Sequence, residues 1–309
     1  VMRSLTAYAH QKAKQSFRNS WVLYLMFVPA AVWMICFRLL PIPGILIAFK
    51  DYNVFDGFAA SPWVGFKHFQ QMFTRTRFLN VIVNTLEISL LKIVVLFPLP
   101  IILSLMLNEF RAYRYKRIAQ TAIYIPHFLS YVIIHGIFTS LLSTQGGLVN
   151  AAIVALGGQP VSFYANQTFR FSLLLTEFYK EAGWNTIVYL AALSAIDQSL
   201  YEAAEVDGAG GFRKTWHITL PGILPVVMMM LTLRLGNIML AGTTQILVMY
   251  NPTVYATADV IGTFVYREGV GSGKFSLATA IGLFESVVGF VMIMGTNYIS
   301  SKVFKRGLW

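Results

Sequence analysis

The chain has 309 residues, 24 Lys and Arg against 13 Asp and Glu, and a formal charge of +11, yet only 12% of its residues are charged. An ordinary soluble domain carries about 25% charged residues. With 56% apolar residues and a mean hydropathy of +0.62, this chain cannot cover a soluble surface of its size, which excludes a soluble enzyme. Its one cysteine, Cys36, excludes an internal disulfide, and its histidines form no Cys/His cluster for zinc.

A hydrocarbon core about 30 Å thick is crossed by about 20 apolar residues. Six stretches qualify, at 20–48, 80–108, 118–142, 169–195, 222–247 and 276–300, and the expected fold is all-α, a polytopic membrane protein with six transmembrane helices. The first stretch follows Arg3, Lys12, Lys14 and Arg18, is long, and lacks a small-residue cleavage site, so it reads as a retained anchor. Pro41 and Pro43 predict a kink at its far end. With the N-terminus inside, inner segments hold thirteen Lys and Arg, among them Arg114, Arg213 and Lys302, and outer loops hold seven. That bias places both termini in the cytoplasm.

Ionisable groups inside spans cost about 2.5–3.5 kcal/mol each on insertion scales, so they face a cavity or a partner. The spans hold basic Arg38, Lys92, Lys180 and Arg234 and acidic Glu87, Glu177, Glu181 and Glu285. Arg38 and the extremes of the second span are set aside as snorkelling. On the fourth span, Glu177, Lys180, Glu181 and Trp184 follow an i, i+3, i+4, i+7 spacing and share one helical face. On the fifth, Arg234, Asn237 and Ala241 share a face by the same rule. At ~1.5 Å per residue, Glu181 and Arg234 fall within ~5 Å of one another in depth. Two polar faces at one level suggest the walls of a common cavity. The alternative is an internal ion pair, Glu177 or Glu181 with Lys180 or Arg234, that holds helices together.

Between those spans runs Gln198–Pro221, QSLYEAAEVDGAGGFRKTWHITLP, far longer than a bare connection needs. Ser199–Asp207 reads as a short helix, with Ser199 and Glu202 as a capping box and Ala203 and Ala204 favouring helix. Gly208 stops it in a left-handed conformation. Phe212–Leu220 continues, and Pro221 opens the next span as a first-turn proline. The hairpin exposes Glu202, Glu205 and Asp207 and suits docking to another protein; an interfacial hairpin that braces two spans is the alternative. Further on, Gly269–Ser276 imitates a phosphate-binding loop, but Glu268 stands at its first glycine position and Phe275 at its hydroxyl position. That stretch is therefore not a nucleotide site, and any ATP hydrolysis needs a separate ATPase.

Glu202-Ala203-Ala204, three residues, Gly208, nine residues, then Ile218-Thr219-Leu220-Pro221 resembles the EAA loop of permeases from binding-protein-dependent ABC importers. Phe49-Lys50-Asp51-Tyr52, Val64-Gly65-Phe66, Asn84-Thr85-Leu86, Asp207-Gly208-Ala209 and Gly307-Leu308-Trp309 are similar to the MalF-type sugar branch. Within it they look most like importers of oligo- and polysaccharides, including the alginate type. Tyr250-Asn251-Pro252 departs from the Gly-Gly-Pro that many sugar permeases carry there.

The resemblance implies a single transmembrane domain over 1–309 of type I importer architecture. Residues 1–49 would form the tail and first span, 80–300 the core spans and 198–221 the cytoplasmic coupling loop. It implies ATPase coupling through Glu202, Ala203, Ala204, Asp207, Gly208, Ile218, Leu220 and Pro221. It implies a substrate path along Glu177, Lys180, Glu181, Trp184, Arg234 and Asn237, with Thr243 and Gln245 in its outer part. Trp184 would stack on a sugar ring, Asn237 would bond hydroxyls, and Arg234 would favour an acidic, uronate-containing saccharide. The implied partners are a second homologous permease, two copies of a cytoplasmic ABC ATPase carrying ATP and Mg, and an extracytoplasmic solute-binding protein. The chain itself would hold no cofactor, bind no nucleic acid and reside in the bacterial cytoplasmic membrane. Two rivals stand beside this reading. A secondary transporter or channel would use the intramembrane charges for ion coupling. A membrane enzyme would need a catalytic motif, and the sequence has no HExxH and no GxSxG.

Overall fold

The structure, a computed structural model, describes residues 20–110 and 112–304. Arg3, Lys12, Lys14, Arg18, Arg111, Lys305, Arg306 and Gly307-Leu308-Trp309 lie outside the described residues, so the charge bias rests on the sequence alone. In chain order the helices used below are α1 (Ser20–Phe49), α2 (Lys67–Thr74), α3 (Thr76–Asn108), α4 (Tyr113–Phe128), α5 (Tyr131–Leu142) and α6 (Leu148–Ala155). They continue with α7 (Phe169–Ser194), α8 (Gln198–Val206), α9 (Gly211–Gly236), α10 (Thr243–Met249), α11 (Ile261–Tyr266) and α12 (Phe275–Phe304). Among the described residues there is no strand, and a lone bridge joins Lys50 to Trp63.

Four of these helices, α1, α3, α9 and α12, combine the length and the hydropathy to cross a membrane. With 26 residues, α7 spans about 39 Å; its charges, rather than its length, set it apart. The third expected span, 118–142, is a broken one. Between α4 and α5 the chain bends by 105°, with Leu129 and Ser130 in extended backbone. The six expected crossings thus become four apolar helices, one charged helix of crossing length and one bent pair.

The fifth expected span, 222–247, is also corrected. Helix α9 begins earlier, at Gly211, and ends at Gly236. Ala241 (φ 48°) and Gly242 (φ 76°) then turn the chain into the short α10. The apolar run continues past the helix end because it enters protein core rather than lipid. Ile238 and Met239 pack with Phe78, Phe264 and Ile281 of α3, α11 and α12, and Ile246 and Met249 pack with Leu173 of α7.

Three helices share one irregularity. Widened π turns at Ile35–Leu39, Lys92–Leu96 and Thr215–Thr219 each end two residues before a proline, at Pro41, Pro98 and Pro221. Proline has no N–H for the carbonyl four residues back and its ring crowds that carbonyl. Taking one extra residue into the turn lets the preceding helix close by another route, as Leu220 N–H does by donating to the Thr215 carbonyl. Pro221 therefore lies inside a continuous helix instead of opening one.

Polar side chains fasten the segment after α9 to the bundle. Asn84 donates to the carbonyls of Ala256 (2.9 Å) and Asp259 (3.3 Å), and Thr85 Oγ1 accepts from the Ile261 N–H at 3.0 Å. Arg170 reaches Asn84 Oδ1 (2.9 Å) and Glu87 (2.5 Å). Asp259, 2% exposed, is gripped by Arg267 at 3.0 and 2.6 Å. Asn84-Thr85 thus has a structural reason for its residue types.

Candidate functional site

Helix α7 carries Glu177 into the bundle, where it is 6% exposed and shared by two cations. Arg234 of α9 donates Nη2–H to Oε1 at 2.7 Å, and Lys92 Nζ pairs with Oε2. Lys92 Nζ also donates to the Ala241 carbonyl (3.0 Å) and to Gln245 Oε1 (2.9 Å). All three neighbours of Nζ are oxygens that accept, which suits an ammonium with three N–H donors rather than an amine with a lone pair. Gln245 is fixed in turn, donating to the Leu173 carbonyl and to Thr176 Oγ1, both at 2.8 Å. Two cations against one carboxylate leave this cluster one unit positive.

The cluster separates two cavities. One, about 370 Å³, is lined by Phe97, Glu181, Trp184, Asn185 and Tyr189 together with Glu177, Arg234 and Asn237. The other, about 300 Å³, is lined by Ser89, Lys92 and Gly242 together with the same Glu177, Arg234 and Asn237. The Arg234 side chain is 36% exposed, against 4% for Lys92. The larger cavity combines aromatic faces, amides, two carboxylates and a guanidinium, groups that recognise hydroxyls and ring faces.

The other sequence-predicted residues divide. Glu177, Glu181, Trp184, Arg234 and Asn237 meet at the larger cavity. Lys180 does not: it turns to the bend between α4 and α5, where Nζ donates to the carbonyls of His127 and Leu129 (2.6 Å to the latter). Beside it, Glu181 Oε2 meets His127 Nδ1 at 3.0 Å, and the Trp184 ring stacks on the His127 ring at 4.3 Å. Gln245, 1% exposed, braces Lys92, and Thr243 bonds the Leu240 carbonyl at 2.7 Å; neither lines the larger cavity. Arg234, Asn237 and Ala241 share no helical face, because α9 ends at Gly236 and Ala241 lies in the left-handed turn. Both readings of the charges are realised at once, since an ion pair joins α7 to α9 and also walls a cavity. Lys92, named among the span charges but given no role, is the residue the sequence reading missed. Its position mid-way along α3, at the mouth of a proline-driven π turn, was the available signal.

The second site is the hairpin of α8 and the start of α9. Asp197, not Ser199, caps α8 by accepting from the Ser199 N–H at 2.9 Å, so the expected capping box does not form. Gly208 stops α8 at φ 73°. The hairpin is braced by Lys214–Glu205 (2.6 Å) and by Tyr201 to Thr219 (2.9 Å). Lys214 holds the exposed Glu205 carboxyl below the usual glutamate range. Glu202, Ala203, Asp207, Gly208 and Pro221 are exposed, and Ala204, Ile218 and Leu220 half-buried. Val206 (89%) and Phe212 (83%) stand almost free of the chain. The phosphate-loop imitation folds otherwise: Lys274 bonds Glu268 at 2.8 Å, and Arg267–Gly271 is a π turn.

Apolar helices of crossing length around a cavity lined by charged and aromatic side chains suit a membrane transport component. Residues 97–305 match the family model described as the binding-protein-dependent transport system inner membrane component. The chain belongs to this family of ABC importer permeases, transport subunits of the inner membrane and not enzymes. It is 42% identical over 288 residues to the polygalacturonan/rhamnogalacturonan transport system permease protein YteP of Bacillus subtilis, covering 93% of this chain and 90% of that one. It is 43% identical over 293 residues to Protein LplB of the same organism, covering 94% and 92%. Among solved structures it is similar to a chain of a bacterial ABC transporter involved in import of the acidic polysaccharide alginate. That match has a TM-score of 0.87 at 38% identity and covers 94% of this chain and 99% of the other.

Proposed function

We propose that this chain is the membrane-spanning half of an ATP-driven importer that passes an acidic oligo- or polysaccharide through the cavity beside Glu177 and Arg234. The observation that carries the substrate class is the Lys92–Glu177–Arg234 cluster, one unit positive at the junction of the two cavities. The other carboxylate of the larger cavity, Glu181, has Lys180 (3.9 Å) and His127 (3.0 Å) beside it. A fixed cation in a low-dielectric wall attracts a carboxylate strongly, and a guanidinium matches its two oxygens geometrically. Trp184, Asn185 and Asn237 supply a ring face and amides for the uncharged part of a sugar. The names of the similar transport systems, one for polygalacturonan and one for alginate, point the same way.

In this reading Glu202–Gly208 seats in a cleft of a cytoplasmic ATPase. Two such ATPases, holding ATP and Mg, drive this chain and a second homologous permease between inward- and outward-facing states. Both termini are cytoplasmic, and an extracytoplasmic solute-binding protein delivers the saccharide to the outer loops. The test is uptake by the assembled importer in proteoliposomes, comparing a uronate oligomer with a neutral glucan of equal length. ATP-dependent uptake that favours the uronate supports the reading. Uptake without nucleotide or ATPase returns the chain to the secondary-transporter class, and a preference for the glucan rejects the acidic substrate.

A further inference from the structure

A buried carboxylate held by one cation is a closed pair: withdrawing that cation strands a charge away from water. Glu177 has two cations, and they are not equivalent. Lys92 is 3% exposed and pinned by the Ala241 carbonyl and by Gln245, whose own amide is tied to α7. The Arg234 guanidinium has Glu177 as its sole hydrogen-bond partner among the described residues, uses one N–H for it, and fronts both cavities. A guanidinium has five N–H donors, so four remain for a ligand.

We infer that Lys92 is a standing counter-ion that keeps Glu177 neutralised and thereby frees Arg234 to turn from Glu177 to a substrate carboxylate. Arg234 is the contact; Lys92 is a positioning residue that acts through Glu177. The exchange conserves charge at each stage. Before it, Glu177 is bonded to both cations; after it, Glu177 stays with Lys92 while Arg234 pairs with the incoming anion. Without Lys92, Arg234 would have to choose between two carboxylates, and the resident one holds the advantage of being fixed in place. This deepens the acidic-substrate reading and rests on it.

The experiment measures initial uptake of a uronate oligomer and of a neutral oligomer by the assembled importer, with neutral uptake as the gauge of correct assembly. Lys92→Met is expected to raise the KM for the uronate, relative to the neutral oligomer, by about tenfold, the scale of one charge-assisted hydrogen bond. Adding Glu177→Gln removes the competitor and is expected to bring that ratio back to within about threefold of the parent. Glu177→Gln alone, which does not depend on the Lys92 variant folding, is expected to lower the uronate KM. A parent that prefers the uronate, with no rescue in the double variant or with a raised KM in Glu177→Gln, overturns the inference and leaves the substrate reading standing. A parent without any uronate preference overturns the substrate reading itself.

Discussion

Replacing Lys180 by Met tests whether the bend between α4 and α5 is held by a cation lent from α7. Lys180 is 8% exposed, and Nζ donates to the carbonyls of His127 and Leu129, which the bend leaves outside any helical ladder. Its ammonium also lies 5.2 Å from the centre of the Tyr131 ring. Two hydrogen bonds from a charged donor contribute about 1.5–3 kcal/mol each, and the ring contact about 0.5–1 kcal/mol. Against this, methionine has no ammonium to bring into the bilayer, which returns about 2.5–3.5 kcal/mol. The net expectation is a loss of about 2 kcal/mol, within a range of about 0–4.5 kcal/mol, concentrated at one place. Thermal unfolding of the purified permease should shift downward by a few degrees. Amide exchange should accelerate at residues 129–134 before it does elsewhere. Lys302→Met, at an exposed lysine bonded to Tyr298 at 3.1 Å, serves as the control. A Lys180→Met protein that melts with the control, or whose exchange rises evenly along α7, refutes the reasoning.

Gly208→Val places a branched side chain at φ 73° at a cost of about 1–2 kcal/mol. It should reduce both co-purification of the ATPase and substrate-stimulated ATP hydrolysis, while Gly208→Asn keeps most of each; equal behaviour of the two variants counts against the coupling role. At Gly242 (φ 76°) an added Cβ would overlap Lys92 Nζ. Gly242→Ala should therefore mimic Lys92→Met in relative uronate uptake, and a parent-like ratio would show that Lys92 tolerates displacement. Glu268 lies between Lys274 (2.8 Å) and Arg75 (3.5 Å), and the Lys274 hydrogen bond holds its carboxyl below the ordinary 4.5. A carboxyl with a depressed folded-state value stabilises above its unfolded value and loses that contribution as pH falls through the lower one. Melting should thus fall between pH 5 and pH 3 by less in Glu268→Gln than in the parent, and parallel curves would deny the ion pair a role.

Hydropathy made the helical membrane fold legible, and spacing brought Glu177, Glu181, Trp184 and Arg234 to one cavity. Both methods fail where chain direction changes inside protein. Ile238–Met249 is apolar because one end lies against Phe78 and Ile281 and the other against Leu173, and summed hydropathy does not distinguish lipid from core. Helical spacing placed Ala241 on the face of Arg234 because it assumes an unbroken helix. Pro126 was visible, yet the bend falls at Leu129–Ser130, where the sequence carries no glycine. Lys92 was given no role because its partners Glu177, Ala241 and Gln245 lie far along the chain, and spacing within one helix does not reveal them. At the hairpin, Gly208 announced the stop of α8, whereas Asp197 outcompeted Ser199 for the cap because it stands one residue ahead of the helix with extended backbone.

The bend between α4 and α5 has a consequence for how the chain is made. Synthesis delivers residues 113–142 before residues 169–194, and N-terminal parts generally organise first. Yet open carbonyls at His127 and Leu129 are costly in hydrocarbon, and the side chain that satisfies them arrives on the later helix. In the folded chain the bend is therefore satisfied by a side chain from a helix that follows it in sequence, so the bend and α7 stand or fall together.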